Sequence, residues 1–284
     1  MKIAWFTPVT GHEPAVEYSR EVLHAMAQLC EPLLCSNGAP EGFPTEIPVV
    51  DLAAAGSQRR PDPWSVDAVF YMLGNDLQQH AWIFEASQLH PGIVVLQDRT
   101  LHTFFLAYYL EHLGRPDLYI TRMAHYYGSA GLATAHRVIG PWFDSGDARL
   151  EPEDTRRYTF TEEALLGATG AIVDSGGHGT LVRRLWSGPV HEASLRAQDE
   201  RSAGDRSTLE YAQGLIRFAH GLAASVPVDR LADAESRAVA EQMAMHVGTT
   251  LGSLGAKPDS LQVEAVISEA ARLLSAATSD QARR

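Results

Sequence analysis

The sequence predicts an α/β fold, with a Rossmann-like parallel sheet followed by a C-terminal helical extension. Three observations predict it. Short apolar runs recur through residues 1–190, amphipathic stretches separate them, and only helical periodicity is found after residue 207. Alternation of strand and helix is typical of βαβ units, which place their strands parallel in one sheet.

The predicted strands are short and almost continuously apolar. Segments such as GIVVLQD and GAIVDS are rich in β-branched residues, as strands covered by helices on both faces of a sheet require. On this basis strands are predicted at residues 2–7, 32–36, 47–51, 67–73, 92–98 and 170–175.

The segments between these runs have helical patterns. Residues 16–29 contain Val16, Leu23 and Ala27 at helical spacing, and residues 78–89 form a second such stretch. Residues 191–206 are polar, turn-rich and without periodicity, so they are interpreted as a linker. The chain is therefore predicted to contain a Rossmann-like domain at residues 1–190.

Residues 207–284 are predicted to form three helices that pack on this domain rather than build a second sheet. Ser207 and Glu210 fit a capping box that opens a helix at 208–224. A second helix follows Pro227, and Asp259 is a candidate cap for the third. The apolar side chains of the last two helices are Leu231, Val239, Met243, Val247, Leu251, Val263, Val266, Ile267 and Leu274.

Composition excludes several function classes. The chain has 284 residues and a formal net charge of −12, and its basic residues are scattered rather than clustered, with no group larger than an Arg-Arg pair, which argues against nucleic acid as a partner. Cys30 and Cys35 are too few for a disulfide framework or a zinc site and are expected to be buried thiols. No cofactor or metal site is predicted.

The sequence also predicts a cytoplasmic chain without a transmembrane segment. No run of about 18 uncharged apolar residues is found in it. The opening residues MKIAWFTPVTGHEP pass from a short apolar run into turn residues without a signal-peptide cleavage pattern.

Three segments together resemble the acceptor-side half of family 4 glycosyltransferases, which are retaining GT-B enzymes built from two facing Rossmann-like domains. The first is IAWFTPVTGHEPAVEYS, with Pro8, Gly11, Tyr18 and Ser19 at matching places. In that family this loop lies at the cleft between the domains, so the resemblance implies a substrate-binding role for Gly11.

The second segment, at residues 72–110, carries the strongest resemblance. It is similar to the family's succession of Gly-Asn, His, Pro-Gly, strand, His-Asp and Leu-His-His, and its matching residues are Gly74, Asn75, His80, Pro91, Gly92, Asp98, Leu101 and His102. The third segment, GATGAIVDSGGHGTLVRRLWSGPV, resembles the strand and helix that end the acceptor domain, with Asp174 and Ser175 where the family usually has His-Ser.

A departure from the family follows at once. A complete GT-B enzyme begins its donor-binding domain here, whereas this chain passes through a short linker to STLEYAQGLIRFAHG, which looks like the family's C-terminal crossover helix. The expectation is a single GT-B half from which the donor domain, with the glutamates that hold the nucleotide sugar, is missing.

Asp98 and His102 are the predicted catalytic residues, and the resemblance supports this prediction more than their spacing does. Asp98 ends a predicted strand and His102 follows four residues later, so both would face the cleft if a helix started near Arg99. A carboxylate that orients an imidazole is a usable acid/base or hydroxyl-binding pair. In the alternative interpretation Asp98 caps the helix and His102 packs beneath a neighbouring loop.

Six further residues are predicted to bind substrate: Gly11, Asn75, His80, Gln97, Asp174 and Ser175. Gln97 and Asp174 stand where the family commonly has histidine, and an amide cannot exchange a proton near neutral pH. The turn Gly74-Asn75-Asp76 and a helical His80 have structural explanations as well. The glycines of DSGGHGT lack a Walker lysine and G-x-G-x-x-G spacing, which favours a plain strand-to-helix turn.

Two functions follow from the resemblance. The chain is either an acceptor-binding half that transfers a sugar only when another chain supplies the donor domain, or a non-catalytic partner or regulator of a complete glycosyltransferase. The predicted partners are a sugar or glycan acceptor and either a glycosyltransferase chain or a second copy of this chain. A hydrolase that uses Ser175 is the third alternative, and no nucleophile elbow supports it.

Overall fold

A computed structural model describes residues 1–10, 14–53, 62–174, 177–193 and 204–225. Its strands are β1 (Lys2–Phe6), β2 (Glu31–Ser36), β3 (Val49–Asp51), β4 (Ala68–Leu73), β5 (Ile93–Leu96), β6 (Gly170–Val173) and β7 (Val190–Glu192). They form one seven-stranded sheet in the order β3-β2-β1-β4-β5-β6-β7, in which every pairing is parallel. The predicted fold class is confirmed.

Helices cover both faces of this sheet. They are α1 (Pro14–Met26), α2 (Leu77–Leu89), α3 (His102–Ala107), α4 (Pro116–Ser145), α5 (Pro152–Arg157), α6 (Thr161–Ala164), α7 (His178–Leu185) and α8 (Gly204–Ser225), with a π-helical turn at Tyr108–His112. Because the strand order reverses between β1 and β4, helices α1 and α2 leave the sheet on opposite faces.

Two apolar cores result, one on each face. Trp5, Phe70 and Val95 point toward α1 and α8, whereas Phe6, Tyr71 and Leu96 point toward α2, α3 and the turns that follow. Successive strand residues alternate between the faces. The central strands are therefore buried on both sides, which is why they are apolar at nearly every position.

Helix α8 packs back on the sheet, as predicted for the first helix of the C-terminal region. Ala212, Leu215, Ala219 and Leu222 are buried in the same core as α1. Gly170 allows this close approach, because a Cβ atom at that position would lie 2.6 Å from the Leu222 side chain. The two helices predicted beyond residue 225 lie outside the described residues.

The structure differs from the sequence prediction at β7. This strand lies at the start of the predicted linker, and α8 begins at Gly204 rather than after Ser207. Strand β7 has only three residues, and its His191 and Glu192 interrupt the apolar pattern. A short polar strand at a sheet edge gives no clear periodic signal.

Candidate functional site

All predicted site residues except Gly11 follow β4, β5 or β6 in the sequence, and the carboxyl ends of these strands meet at one edge of the sheet, called here the carboxyl edge. Ligands of open α/β folds bind at this edge, where the loops diverge. Gly11 and Ser175 lie outside the described residues. The remaining six predicted residues fall into three groups with different surroundings.

Asn75 and Asp98 join the loop after β4 to the loop after β5. The Asn75 backbone N–H donates to Asp98 Oδ2 at 3.0 Å, and the Asn75 amide donates to the Thr100 carbonyl at 2.7 Å. Asn75 Oδ1 accepts from the Phe104 backbone N–H at 3.3 Å. These bonds fix the relative position of two carboxyl-edge loops, so both side chains have a structural role here.

His80 lies behind this pair, in the second turn of α2. It is 2% exposed, and its Nδ1 lies 3.0 Å from the Met72 carbonyl. A carbonyl oxygen only accepts, so Nδ1 donates the proton. Burial lowers the pKa of His80, and a Cβ atom at Gly74 would lie 2.9 Å from its Nε2. The imidazole is therefore a neutral support beneath the Gly74-Asn75 turn.

His102 does not face the cleft, and its predicted pairing with Asp98 is wrong. The helix begins at His102 itself, after Leu101, so neither the expected start at Arg99 nor a cap by Asp98 is found. The imidazole is fully buried, with Nε2 2.7 Å from the Tyr119 hydroxyl and Nδ1 3.4 Å from the Asp154 carbonyl. Burial lowers its pKa to about 4.

The surroundings of His102 explain this position. Its ring centroid lies 5.0 Å from that of Phe160 and 5.9 Å from that of Tyr119. An imidazole enclosed by aromatic rings, with both nitrogens engaged by core groups, is held neutral and away from solvent. The geometry agrees with the packing alternative for His102 and gives it no access to a substrate at the carboxyl edge.

Gln97 and Asp174 are the two predicted residues that share a cavity. It measures about 60 Å³ and is lined by Tyr18, Val95, Leu96, Gln97, Ile172, Val173, Asp174, Ala193 and Tyr211. Its floor is formed by the ends of β5 and β6. Its polar groups are one amide, one carboxylate and two phenols, which together donate and accept hydrogen bonds.

The two phenols connect the cavity to the helices. Tyr18 belongs to α1, Tyr211 belongs to α8, and their hydroxyl groups are hydrogen-bonded to each other. Burial raises the pKa of Tyr18 well above its usual value and that of Tyr211 to about 12, and the charge of Asp174 raises both. Both phenols therefore stay protonated near neutral pH. One of their O–H groups is donated to the other hydroxyl, so one phenolic donor remains for the cavity.

His178 is a further residue at this edge, at the start of α7. The charges that act on its pKa belong to Arg99, Asp174, Asp98 and Glu192, which follow or end β5, β6 and β7. The surrounding sequence DSGGHGT predicted only a strand-to-helix turn, and no role was predicted for this histidine. Tyr211 was also missed, because its only signal was membership of the crossover-like helix.

Comparison of the chain with protein-family models, curated proteins and solved structures finds no match. Within the described ranges, no group of three or more His, Cys, Asp or Glu side chains is arranged to hold a metal ion. No described helix is long and apolar enough to cross a membrane.

Proposed function

We propose that the chain is the acceptor-binding half of a glycosyltransferase, which transfers a sugar from a nucleotide sugar only when a second chain supplies the donor-binding domain. The observation that supports this most directly is the polar cavity at the carboxyl edge. Gln97, Asp174 and two protonated tyrosines surround it. Amides, carboxylates and phenols with aromatic faces are the groups that recognise sugar hydroxyls.

The size of the cavity favours part of a sugar acceptor over a nucleotide-sugar donor as its ligand. At about 60 Å³ it is several times smaller than the roughly 300–1,000 Å³ of pockets that enclose drug-sized ligands. It accommodates one or two hydroxyl groups at the edge of a larger molecule. A nucleotide sugar needs additional protein surface, which in family 4 enzymes belongs to the domain that the resemblance identifies as missing.

The returning helix gives independent support. In the enzymes that the sequence resembles, a C-terminal helix crosses back to the acceptor domain, and α8 packs against α1 and the sheet in this chain. Its Tyr211 hydroxyl bonds to Tyr18 at the cavity. The helix therefore places one of the hydroxyl-binding groups and stabilises the domain at the same time.

Acceptor binding is tested by titrating the ¹⁵N-labelled full chain with methyl hexosides and following backbone amide shifts. Saturable shifts at Gln97, Asp174 and Ala193 are expected. Replacing Asp174 with Ala should weaken binding about ten- to a hundredfold, the value of one hydrogen bond to a charged acceptor. Asp144→Ala, an exposed change on α4, is the matched control. Absence of shifts at the cavity with every hexoside contradicts the proposal.

The requirement for a second chain is tested separately by calorimetry with common nucleotide sugars. No micromolar binding is expected for the isolated chain. Affinity of that order requires about 8 kcal/mol of favourable interaction, and the donor-binding residues of the resembled family have no counterpart in the sequence. Micromolar binding to the monomer would refute the missing-domain interpretation.

A non-catalytic partner or regulator of a complete glycosyltransferase is the second candidate, and the burial of His102 favours it. The side chain assigned to acid/base chemistry by resemblance has a pKa of about 4 and packs in the core. Mixing the chain with a glycosyltransferase distinguishes the two functions. Sugar transfer that appears only when a donor domain is added supports the acceptor-binding function. A change in the activity of a complete glycosyltransferase supports the regulatory function.

A further inference from the structure

The lining of the cavity at the carboxyl edge carries a single formal charge, and that charge is negative. Among the described residues that line it, Asp174 is the charged one, and the other polar side chains are the Gln97 amide and the phenols of Tyr18 and Tyr211. A ligand group with a positive charge is attracted to such a site, whereas an anion is repelled. The lining therefore distinguishes ligands of similar shape by their charge.

The Asp174 carboxylate acts on both phenols of the lining. Burial has the largest effect on the pKa of Tyr18 and on that of Tyr211, and the charge of Asp174 raises both further. No described cation is among the groups that shift either pKa. The negative potential of the carboxylate therefore extends to the part of the cavity that the phenols line.

The rings of Tyr18 and Tyr211 favour the same sign of charge in a ligand. Their centroids lie 5.9 Å apart and their planes meet at 84°, so two aromatic rings in different orientations adjoin one cavity. The faces of such rings attract ammonium groups through their quadrupole. A carboxylate beside two tyrosine rings is therefore a better partner for an ammonium group than for a neutral hydroxyl.

The small volume of the cavity limits which part of a ligand enters it. About 60 Å³ admits one ammonium group together with a neighbouring hydroxyl, since the two groups are similar in size. The Gln97 amide and the remaining phenolic O–H offer both donors and acceptors to that hydroxyl. The rest of the ligand has to lie outside, as expected for the edge of a sugar.

We propose that the acceptor is an amino sugar whose protonated amine binds in the cavity, against the Asp174 carboxylate and beside the rings of Tyr18 and Tyr211. This inference rests on the proposed acceptor function and specifies its substrate class. An amino sugar carries the required cation next to hydroxyl groups on the same ring.

The charge preference is tested with three methyl hexosides of one ring type: methyl α-D-glucosaminide, methyl α-D-glucoside and methyl α-D-glucuronide. Each is titrated into the ¹⁵N-labelled full chain at pH 7, and the Gln97, Asp174 and Ala193 amides are followed. The glucosaminide should bind about three- to tenfold more tightly than the glucoside, through one cation–π contact and one ion pair that solvent partly screens because Asp174 is exposed. The glucuronide, an anion, should bind most weakly.

A change of pH removes the charge of the ligand and leaves the nearby titrating side chains unchanged. A sugar amine titrates near the α-amino range of about 7.7–8.0, so it is mostly protonated at pH 7 and neutral at pH 9. Tyr18 and Tyr211 stay protonated and His178 stays neutral over this interval. The affinity for the glucosaminide should therefore fall at pH 9 to about that for the glucoside.

A substitution of Asp174 tests the contact from the side of the protein. Asp174→Asn keeps the shape and an acceptor oxygen but removes the charge, so the preference for the glucosaminide over the glucoside should disappear. Asp144→Asn removes an exposed charge on α4 and should retain the preference. Because the ratio of two affinities is measured for each variant, a general loss of binding does not imitate the result. The wild-type comparison at two pH values decides if the Asp174 variant does not fold.

The outcomes separate this inference from the proposed function. Equal affinity for the glucosaminide and the glucoside, or a preference that Asp174→Asn retains, refutes the ammonium contact and leaves acceptor binding intact. Tighter binding of the glucuronide refutes the contact as well, because it shows an anion site. Absence of shifts at the cavity with every hexoside refutes both the contact and the acceptor function.

Discussion

The burial of His102 predicts a specific loss of stability in mild acid. In the unfolded chain its imidazole takes up a proton near the ordinary pKa of 6.5, whereas in the folded chain burial lowers the pKa to about 4. Below pH 6.5 the unfolded state therefore binds more protons. The contribution of His102 is complete above pH 6.5 and is lost as the pH falls from 6.5 to about 4.

The magnitude follows from the two pKa values. Each pH unit between them corresponds to about 1.4 kcal/mol, so the full loss is about 3 kcal/mol, of which about 2 kcal/mol is reached at pH 5. His102 is 0% exposed, so solvent screening does not reduce this value. Measurements at pH 5 and above also avoid the protonation of Asp154, whose pKa is lowered by its hydrogen bond to Arg137 despite an opposing effect of desolvation.

The assay is equilibrium urea unfolding between pH 7.5 and pH 5, for the wild type and for His102→Gln. Glutamine still offers hydrogen-bonding groups but does not titrate. The variant is expected to start less stable, and its free energy of unfolding should fall with pH by about 2 kcal/mol less than that of the wild type. His80, His178 and His191 also have lowered pKa values, and their contributions cancel in this difference.

Equal pH dependence of the two proteins would refute the reasoning. So would a His102 pKa near 6.5 measured by NMR, since a solvent-exposed imidazole paired with Asp98 would titrate at or above its ordinary value. The second result would also agree with the exposed position that the predicted catalytic pair requires.

Three further predictions concern stability and are checked by urea unfolding at pH 7.5. Leu215→Ala should cost about 2–5 kcal/mol, because Leu215 is 0% exposed in the core between α8 and the sheet. Asn75→Ala should cost about 1–3 kcal/mol by removing both side-chain hydrogen bonds between the carboxyl-edge loops, and values below about 0.5 kcal/mol would contradict that structural role. Gly92→Ala should cost about 1–3 kcal/mol, because its Cβ atom would lie 2.8 Å from the Val69 carbonyl oxygen, whereas Gly140→Ala, which meets no atom within 4 Å, should be neutral or slightly stabilising.

Local patterns were sufficient to predict the central sheet. β4, β5 and β6 were located within two residues at each end, because strands buried on both faces must be apolar at every position. The edge strand β7 was missed for the opposite reason. Two of its three residues, His191 and Glu192, are polar and none is buried, and the strand belongs to the sheet only because β6 is there to pair with it.

The candidate site was predicted only in part. Gln97 and Asp174 were predicted to lie together at the carboxyl edge because each follows the end of a predicted strand, and parallel strands bring their carboxyl ends to the same edge of the sheet. The direction of a side chain beyond a strand end depends on where the next helix begins. The sequence predicted a helix start near residue 99, whereas the helix in the structure begins at His102. The imidazole therefore lies in the core and not at the cleft.

The sequence by itself determined the α/β class, the parallel sheet and the helix that returns after the linker. Strands buried on two faces are continuously apolar and helices have a periodic apolar pattern, and both patterns involve residues that are close together in the sequence. Only the tertiary structure decided which side chains meet. Tyr18 and Tyr211 are separated by 193 positions and join at the cavity because α1 and α8 pack on the same face of the sheet. The buried His178 Nε2, which has no hydrogen-bond partner among the described residues, could not be predicted from the sequence either, since burial and the absence of a partner depend on the surroundings of a residue.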